Sequence, residues 1–348
     1  FFGREIHREI GVPIGLINTS VGGTPIESWI APEVQETKPE LSAALKAQSA
    51  ALPKIDPEKA KADYAVELKK FKAAKAKAVA EGTKAPRPPR NAAEVSERKG
   101  SYGQLFNGKV APLVPYTLKG MLWYQGEANS SDTRAPLYVH QLSALITDWR
   151  ARWGEELPFA WVQLPNFSRP GEGWPLMRES MLKTLALPKT GMAVTIDIGE
   201  AKDIHPHNKI DVGIRLALWA LKNDYGKNIA ACSGPLYQSH EIKDGKVVIS
   251  FEHSGSGLMT GSKTGMAPTV ATKDPLKGFQ ICGVDRKWQW AEATITGPNT
   301  VTVSHKDITE PTIVRYAWAP NPGKVNLYNK EGLPTSIFTT EVEIPAHK

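Results

Sequence analysis

The 348-residue sequence holds two cysteines, Cys232 and Cys282, too few for a disulfide-stapled scaffold. The sequence alone allows either one bridge or two free thiols, so cysteine usage does not fix the redox compartment. No apolar run approaches the ~18 residues that a bilayer-spanning helix needs. A secretory leader is lacking as well, and the chain opens on FFGREIHREI rather than methionine. Processing or truncation explains such a start, and a secreted or periplasmic location is then expected. Repeats of fixed period and low-complexity tails are absent. The formal charge of +7 hints at nucleic acid. However, the basic residues crowd between Lys38 and Lys99, are interleaved with acids, and have only Tyr64 and Phe71 as aromatic company. That pattern is a solvated helical face rather than a phosphate-binding surface.

What is present indicates a packed globular chain, with 41% hydrophobic residues and ten tryptophans. At roughly 150 residues per domain, about two domains plus insertions are expected. The opening FFGREIHREIG places Phe1, Phe2, Ile6 and Ile10 at helical spacing before a glycine stop. VPIGLINTS then has the composition of a strand and runs into the turn-prone SVGGT. Residues 33–84 are rich in Ala, Lys and Glu, which predicts helices over Glu40–Ala51 and Pro57–Glu81, broken at Pro53 and followed by the extended APRPPR. Strand and helix signals then alternate through TLKGMLWYQGEAN, APLYVHQLSALITDWRARWG, LPFAWVQLP, MRESMLKTLAL and GMAVTIDIG, the pattern of a parallel sheet covered on both faces. Four strands, ending at Thr19, Trp123, Leu164 and Ile198, are expected to lie side by side. From about Ala230 the chain alternates with period two, and KDGK and TGPNT are hairpin turns. The expected organisation is a discontinuous α/β domain over 1–32 and 100–229, a helical-hairpin insertion over 33–99, and an antiparallel β domain over 230–348.

Chemistry-bearing residues gather in three polar loops, each after an expected parallel strand, where open α/β sheets place their sites. In GEAKDIHPHN, Asp203 lies two positions before His205. A carboxylate there can hold the imidazole Nδ1 proton and leave Nε2 free to accept one. The same two residues also fit a helix-capping aspartate beside a surface histidine. In NTSVGGTPIESW, Gly22 and Gly23 offer unhindered backbone N–H groups, although a glycine pair is commonly no more than a turn. In WYQGEAN, the Gln125 amide is a further donor, whereas Glu127, an acceptor when ionised, is suited to orienting a neighbour. Trp123 and Tyr124 fit either core packing or a wall against a sugar ring.

The blocks GVPIGLINTSVGGTPIESW, LFNGKVAPLVPYTLKGMLWYQGEAN and DIHPHNKIDVGIRLALWAL, with RYAWAPNPGKVNLYNKEGLPTSIF near the end, resemble the sialate O-acetylesterase family of carbohydrate esterases within the SGNH hydrolases. The resemblance covers the chain outside its 33–100 insertion. It implies a three-layer, flavodoxin-like α/β fold and removal of O-acetyl groups from a carbohydrate substrate, without metal or other cofactor, nucleic acid or membrane. It assigns Asp203 and His205 as triad acid and base, Gln125 as the oxyanion donor and Gly22–Gly23 as the glycine block. The family's serine stands in a Gly-Gln-Ser-Asn block that this sequence does not contain, and Ser20 is a poor substitute because it lies in the glycine block. The expectation is therefore an esterase whose nucleophile comes from a missing N-terminal segment. The alternative is a carbohydrate-binding relative that has lost it. Which acetylated sugar is used is not legible, and no arginine can be assigned from sequence to read a sugar carboxylate.

Overall fold

In the computed structural model, which describes residues 1–50, 54–95, 102–323 and 325–341, the chain divides into two compact units, Phe1–Ile26 with Tyr116–Lys348 and Glu27–Pro115. The smaller unit is helical where Ala, Lys and Glu dominate: helices span Pro32–Thr37, Pro39–Ala50 and Pro57–Ala80. The longest starts at a well-built cap, where the Asp56 carboxylate accepts the N–H groups of Glu58 and Lys59 and Pro57 occupies the first turn. The Gln35 amide is buried and donates to the carbonyls of Glu27 and Ile30 at 2.9 and 2.8 Å. Ala51, the Pro53 break and the expected 99/100 boundary lie outside the described residues.

In the larger unit, helices α1 (Phe2–Ile10), α2 (Tyr138–Trp153), α3 (Gly173–Lys183) and α4 (Lys209–Asn223) surround strands β1 (Met121–Trp123), β2 (Phe159–Val162) and β3 (Thr190–Ala193). The three strands pair in parallel in the order β1-β2-β3. All four residues of β2 are buried, as a central strand covered on both faces requires. Ala160 and Val162 point to one face, where Val212 and Leu216 of α4 pack on them. Phe159 points to the other, with Trp149 of α2 wedged edge-on between it and Trp123. Gly191 in β3 is glycine for a spatial reason, since a Cβ there would lie 2.3 Å from the Trp219 indole. Helix α1 docks on α4 through Ile6, packed with Ala217, Ala220 and Leu221.

One expected strand is not formed. The segment Val12–Thr19 has no strand pairing, and Val12, Leu16 and Ile17 are exposed at 48%, 69% and 52%. The apolar, β-branched composition is there, but a strand also needs a neighbour for its backbone groups. Among the described residues the parallel sheet therefore has three strands rather than four, and at its β1 edge Leu122 is 45% exposed.

Beyond α4 the chain is antiparallel, as its period-two pattern predicts. Strands β4 (Leu236–Lys243) and β5 (Lys246–Glu252) are joined by Asp244–Gly245 at φ 50° and 71°, the two-residue turn that KDGK encodes. Strands β6 (Leu258–Ser262), β7 (Val270–Ala271), β8 (Phe279–Cys282), β9 (Gln289–Trp290), β10 (Glu292–Gly297), β11 (Thr300–Ser304), β12 (Ile313–Tyr316), β13 (Leu327–Asn329) and β14 (Phe338–Thr339) follow. They form sheets ordered β10-β11-β5-β4, β14-β12-β8-β9 and β13-β6-β7. Phe338 joins the two four-stranded sheets, lying 5.6 Å from Phe251, 5.2 Å from Tyr237 and 5.9 Å from Tyr316 between ring centroids. Cys232 and Cys282 are buried free thiols.

The β region is fastened to the α/β layers by buried polar groups. Arg178 of α3 is fully buried, and its guanidinium donates to the carbonyls of Leu164, Pro165, Ala319 and Pro320 at 2.7–2.9 Å. Burial alone pulls its pKa down to about 9, which still leaves it cationic at neutral pH. Gln163 adds a bond to the Ser336 hydroxyl at 2.8 Å. Pro165 O also accepts from the Trp174 indole and Pro320 O from the Phe167 N–H. Methionine at 178 would therefore leave the Leu164 and Ala319 carbonyls without a donor, and Arg178→Met is expected to cost about 2–5 kcal/mol of stability in urea unfolding. A loss below about 1 kcal/mol would show that the carbonyls find other partners.

Candidate active site

The loops that follow β1, β2 and β3 are held together by side chains that reach between them. After β3, Arg215 of α4 forms a two-pronged ion pair with Asp197 at 2.6 and 2.8 Å and donates to the Val194 carbonyl. Both partners are buried, and the Asp197 carboxylate raises the guanidinium pKa against the cost of burial. Thr195 donates to Gln163 O at 2.5 Å, and Asn166 Oδ1 accepts the Gly199 N–H at 2.8 Å, so the β2 and β3 loops are tied to each other.

Residues 200–208 form a compact turn braced by two carboxylates. Asp203 Oδ1 accepts the His205 N–H at 2.8 Å and stands 3.7 Å from His205 Nδ1, ion-pair range rather than hydrogen-bond range. The His205 side chain is 86% exposed. Glu200 Oε1 accepts the His207 N–H at 3.0 Å and lies 2.5 Å from His207 Nδ1. The turn ends at Asn208, which caps α4 by accepting the Asp211 N–H at 3.1 Å and donates to Gly265 O. Glu200, Asp203 and His207 bring one donor atom each within 4.8 Å of one another, a spacing a divalent cation accepts. All three are open to solvent, and Glu200 and His207 already satisfy each other.

From the β1 loop, Tyr124 meets Lys209, the residue that follows this turn, and Glu127 is reached by the charges of His205 and Lys209. Burial pushes the Glu127 carboxyl up, opposed by its backbone hydrogen bonds and by the charges of His205 and Lys209. Lys209 sits 4.9 Å above the Tyr124 ring; burial lowers its pKa, and Glu127, Asp203 and Glu200 raise it. Trp123 is a core residue that donates to the Tyr138 hydroxyl at 2.9 Å. Gln125 links the β1 loop to the glycine block: its Nε2 donates to Thr24 O at 3.1 Å and to buried Asn129 Oδ1 at 2.9 Å, while Oε1 accepts from Tyr138. Asn129 Oδ1 also accepts the Ile26 N–H. Gly22 and Gly23 are exposed in a turn closed by Thr24 Oγ1 on Val21 O, with Gly23 at φ 71°. Ser20 is exposed, its N–H on Asn18 Oδ1.

The sequence reading therefore named residues in each of these two polar loops, Glu127 and His205, and in Gln125 a residue that bonds to the glycine turn. It missed Glu200, His207 and Lys209. These stand in the same GEAKDIHPHNK stretch, but spacing does not say which of two acids faces which of two histidines.

Comparison with known proteins shows which proteins the chain is similar to. The family model described as carbohydrate esterase, sialic acid-specific acetylesterase matches residues 93–222. The mouse protein Sialate O-acetylesterase is 27% identical over 352 residues, covering 92% of this chain and 58% of its own length. The human Sialate O-acetylesterase is 27% identical over 346 residues, covering 92% and 55%. The chain thus spans less than two thirds of these relatives. In the solved structure of XAC1771, a carbohydrate acetylesterase from Xanthomonas citri, the similarity extends over 98% of this chain and 64% of that one, with a TM-score of 0.74 and 34% identity.

The Glu200–His207 contact has a testable electrostatic signature. Glu200 raises the imidazole pKa above its ordinary 6.5, chiefly by its hydrogen bond, and His207 lowers the carboxyl below 4.5. The bracing is complete below the unfolded histidine pKa and is lost as pH rises through the raised one. On the acid side it is lost as pH falls through the lowered carboxyl pKa. NMR titration of His207 should give a value above 6.5 that falls on Glu200→Gln; an unchanged value would break the pairing.

Proposed function

We propose, from the premise that the chain belongs to the sialate O-acetylesterase family of carbohydrate esterases, that it removes O-acetyl groups from sugars by acyl transfer through a serine. The observation that carries this reading is the meeting of the β1 loop with the segment after β3, where Lys209, next to the turn that bears Asp203 and His205, lies 4.9 Å from the Tyr124 ring and the charge of His205 reaches Glu127. In this reading Asp203 holds the His205 Nδ1 side and leaves Nε2 toward the substrate. Nε2 takes the serine proton as Oγ bonds to the acetyl carbon, and the same proton passes to the sugar oxygen as its bond to that carbon breaks. Water then gives a proton to His205 and bonds to the acetyl carbon, the Oγ–acetyl bond breaks, Oγ takes the proton back from His205, and acetic acid leaves. The Gly22 and Gly23 N–H groups stabilise the oxyanion, and Gln125 joins them by exchanging its bond to Thr24 O for one to the intermediate. Glu127 is a positioning residue that holds His205 and Lys209 by charge.

The serine is proposed to come from a segment that adds a strand beside β1. Leu122 is exposed at that edge, and Val12, Leu16 and Ile17 are apolar but unpaired. A strand added at that edge would cover Leu122 and offer the Val12–Thr19 segment a pairing partner. Its location would be secreted or periplasmic, where acetylated glycans are met.

Acetate release from a peracetylated sugar tests this. Residues 1–348 alone are expected to be inert, and a chain extended by the serine-bearing strand is expected to be active. In the extended chain His205→Ala should abolish turnover, and Asp203→Asn should cut kcat by about 10⁴ by favouring the wrong tautomer. Full activity of residues 1–348 that disappears in Ser20→Ala would make Ser20 the nucleophile instead.

A further inference from the structure

The outer face of the β14-β12-β8-β9 sheet carries a row of side chains that neither the fold nor the proposed hydrolysis uses. Register places Thr339 opposite Arg315, Arg315 opposite Gln280 and Gln280 opposite Trp290. Residues opposite one another share a face, so these four form one line across the sheet, about 4.8 Å per step. The alternate residues Phe279, Ile281, Val314, Tyr316 and Phe338 point the other way and are buried. The outer row is only half-buried at Thr339, Arg315 and Gln280, and Trp290 at its end is 66% exposed.

Arg315 is held in place but left unfinished. Its Nε donates to Gln280 Oε1 at 2.8 Å, and its guanidinium carbon lies 4.0 Å from the centre of the Trp288 ring. Stacking and the Nε bond fix the plane of the fork. Among the described residues, neither terminal nitrogen has a hydrogen-bond partner, and neither does Gln280 Nε2. Glu172 and Glu341 are the carboxylates whose charges reach Arg315. Glu341 is engaged by Arg286, and neither acid makes an ion pair with Arg315. A planar fork with its outer edge open is matched by a carboxylate, which accepts two parallel N–H bonds. The broad exposed Trp290 indole, two strands along the same row, is matched by the flat C–H face of a pyranose ring, and the Gln280 amide between the two offers a donor for its hydroxyls.

We propose that this face binds an acidic sugar residue of a glycan, with Trp290 stacking on the ring and Arg315 reading its carboxylate. The site shares no residue with the hydrolytic assignment, so binding should persist in His205→Ala. Both uronic acids and sialic acids present this chemistry.

Affinity electrophoresis of the whole chain through gels containing polygalacturonate, polysialic acid, neutral xylan or polyglutamate tests the proposal. A protein of net charge +7 is slowed by any polyanion, so the comparison that matters is between variants at about 0.15 M salt. Either acidic polysaccharide should retard the parent, with the dissociation constant rising about tenfold in Trp290→Ala and in Arg315→Met. Whichever polymer does so identifies the sugar. Arg315→Lys keeps the charge without the fork and should weaken binding nearly as much as Arg315→Met, with thermal melts confirming that all three variants fold. Polyglutamate should slow parent and Trp290→Ala alike. The proposal is overturned if Trp290→Ala binds both acidic polysaccharides like the parent. It is equally overturned if xylan is held as tightly as they are, or if polyglutamate shows the same dependence on Trp290 and Arg315.

Discussion

A single buried guanidinium ties the larger unit together. Arg178 has no carboxylate partner in the hydrogen bonds it makes; its charge is spread over four backbone carbonyls, two from the loop after β2 and two from Ala319–Pro320. Burying a charge is costly unless every donor is used, and once they are used, moving any one segment exposes the cost again. The β2 loop and the segment after β12 are thus fixed to each other through α3. Because the β2 loop in turn holds Thr195 and Gly199 through Gln163 and Asn166, the β3 loop inherits the same footing. Tyr328 reaches back from β13 to the Asp197 carboxylate at 3.4 Å, a second tie between the β region and this loop.

On that footing the candidate site is made of polar loops rather than of a deep core. Asp203 and Glu200 each accept a backbone N–H from the turn they lie in, which gives the turn its shape before any chemistry is asked of the histidines. His205 is then presented to solvent beside Glu127 and Lys209. Gln125 has the opposite character: it is embedded, with three hydrogen bonds, and its work in the resting state is to carry the glycine turn. Residues exposed to solvent and residues that hold the loops in register are interleaved along the same short segments.

Much of this was legible in local pattern. β2, with four apolar residues in LPFAWVQLP, and α4, with its 3.6-residue stripe after Asn208, form where their periodicity places them. KDGK forms the turn that a two-residue hairpin requires. The helices at Pro39–Ala50 and Pro57–Ala80 follow from Ala/Lys/Glu propensity and from the Asp56 cap. The Val12–Thr19 segment marks the limit of such reading. Its residues prefer a strand, but pairing is supplied by a neighbour, and a segment's own composition cannot say whether the neighbour is there.

Apart from Val12–Thr19, sequence by itself determined where the main helices and strands lie, the parallel-then-antiparallel order of the layers, and the loops in which acids, bases and glycines collect, because each of these depends on residues within a few positions of one another. Only tertiary structure decided that Arg178 would serve four carbonyls more than 140 residues apart at the extreme and that Glu200 would take His207 while Asp203 turned to His205. It alone decided that Arg315 and Trp288 would stack beside Trp290. Those outcomes depend on strand register and loop closure, which act across the chain. A spacing of two or seven residues in a loop does not specify them.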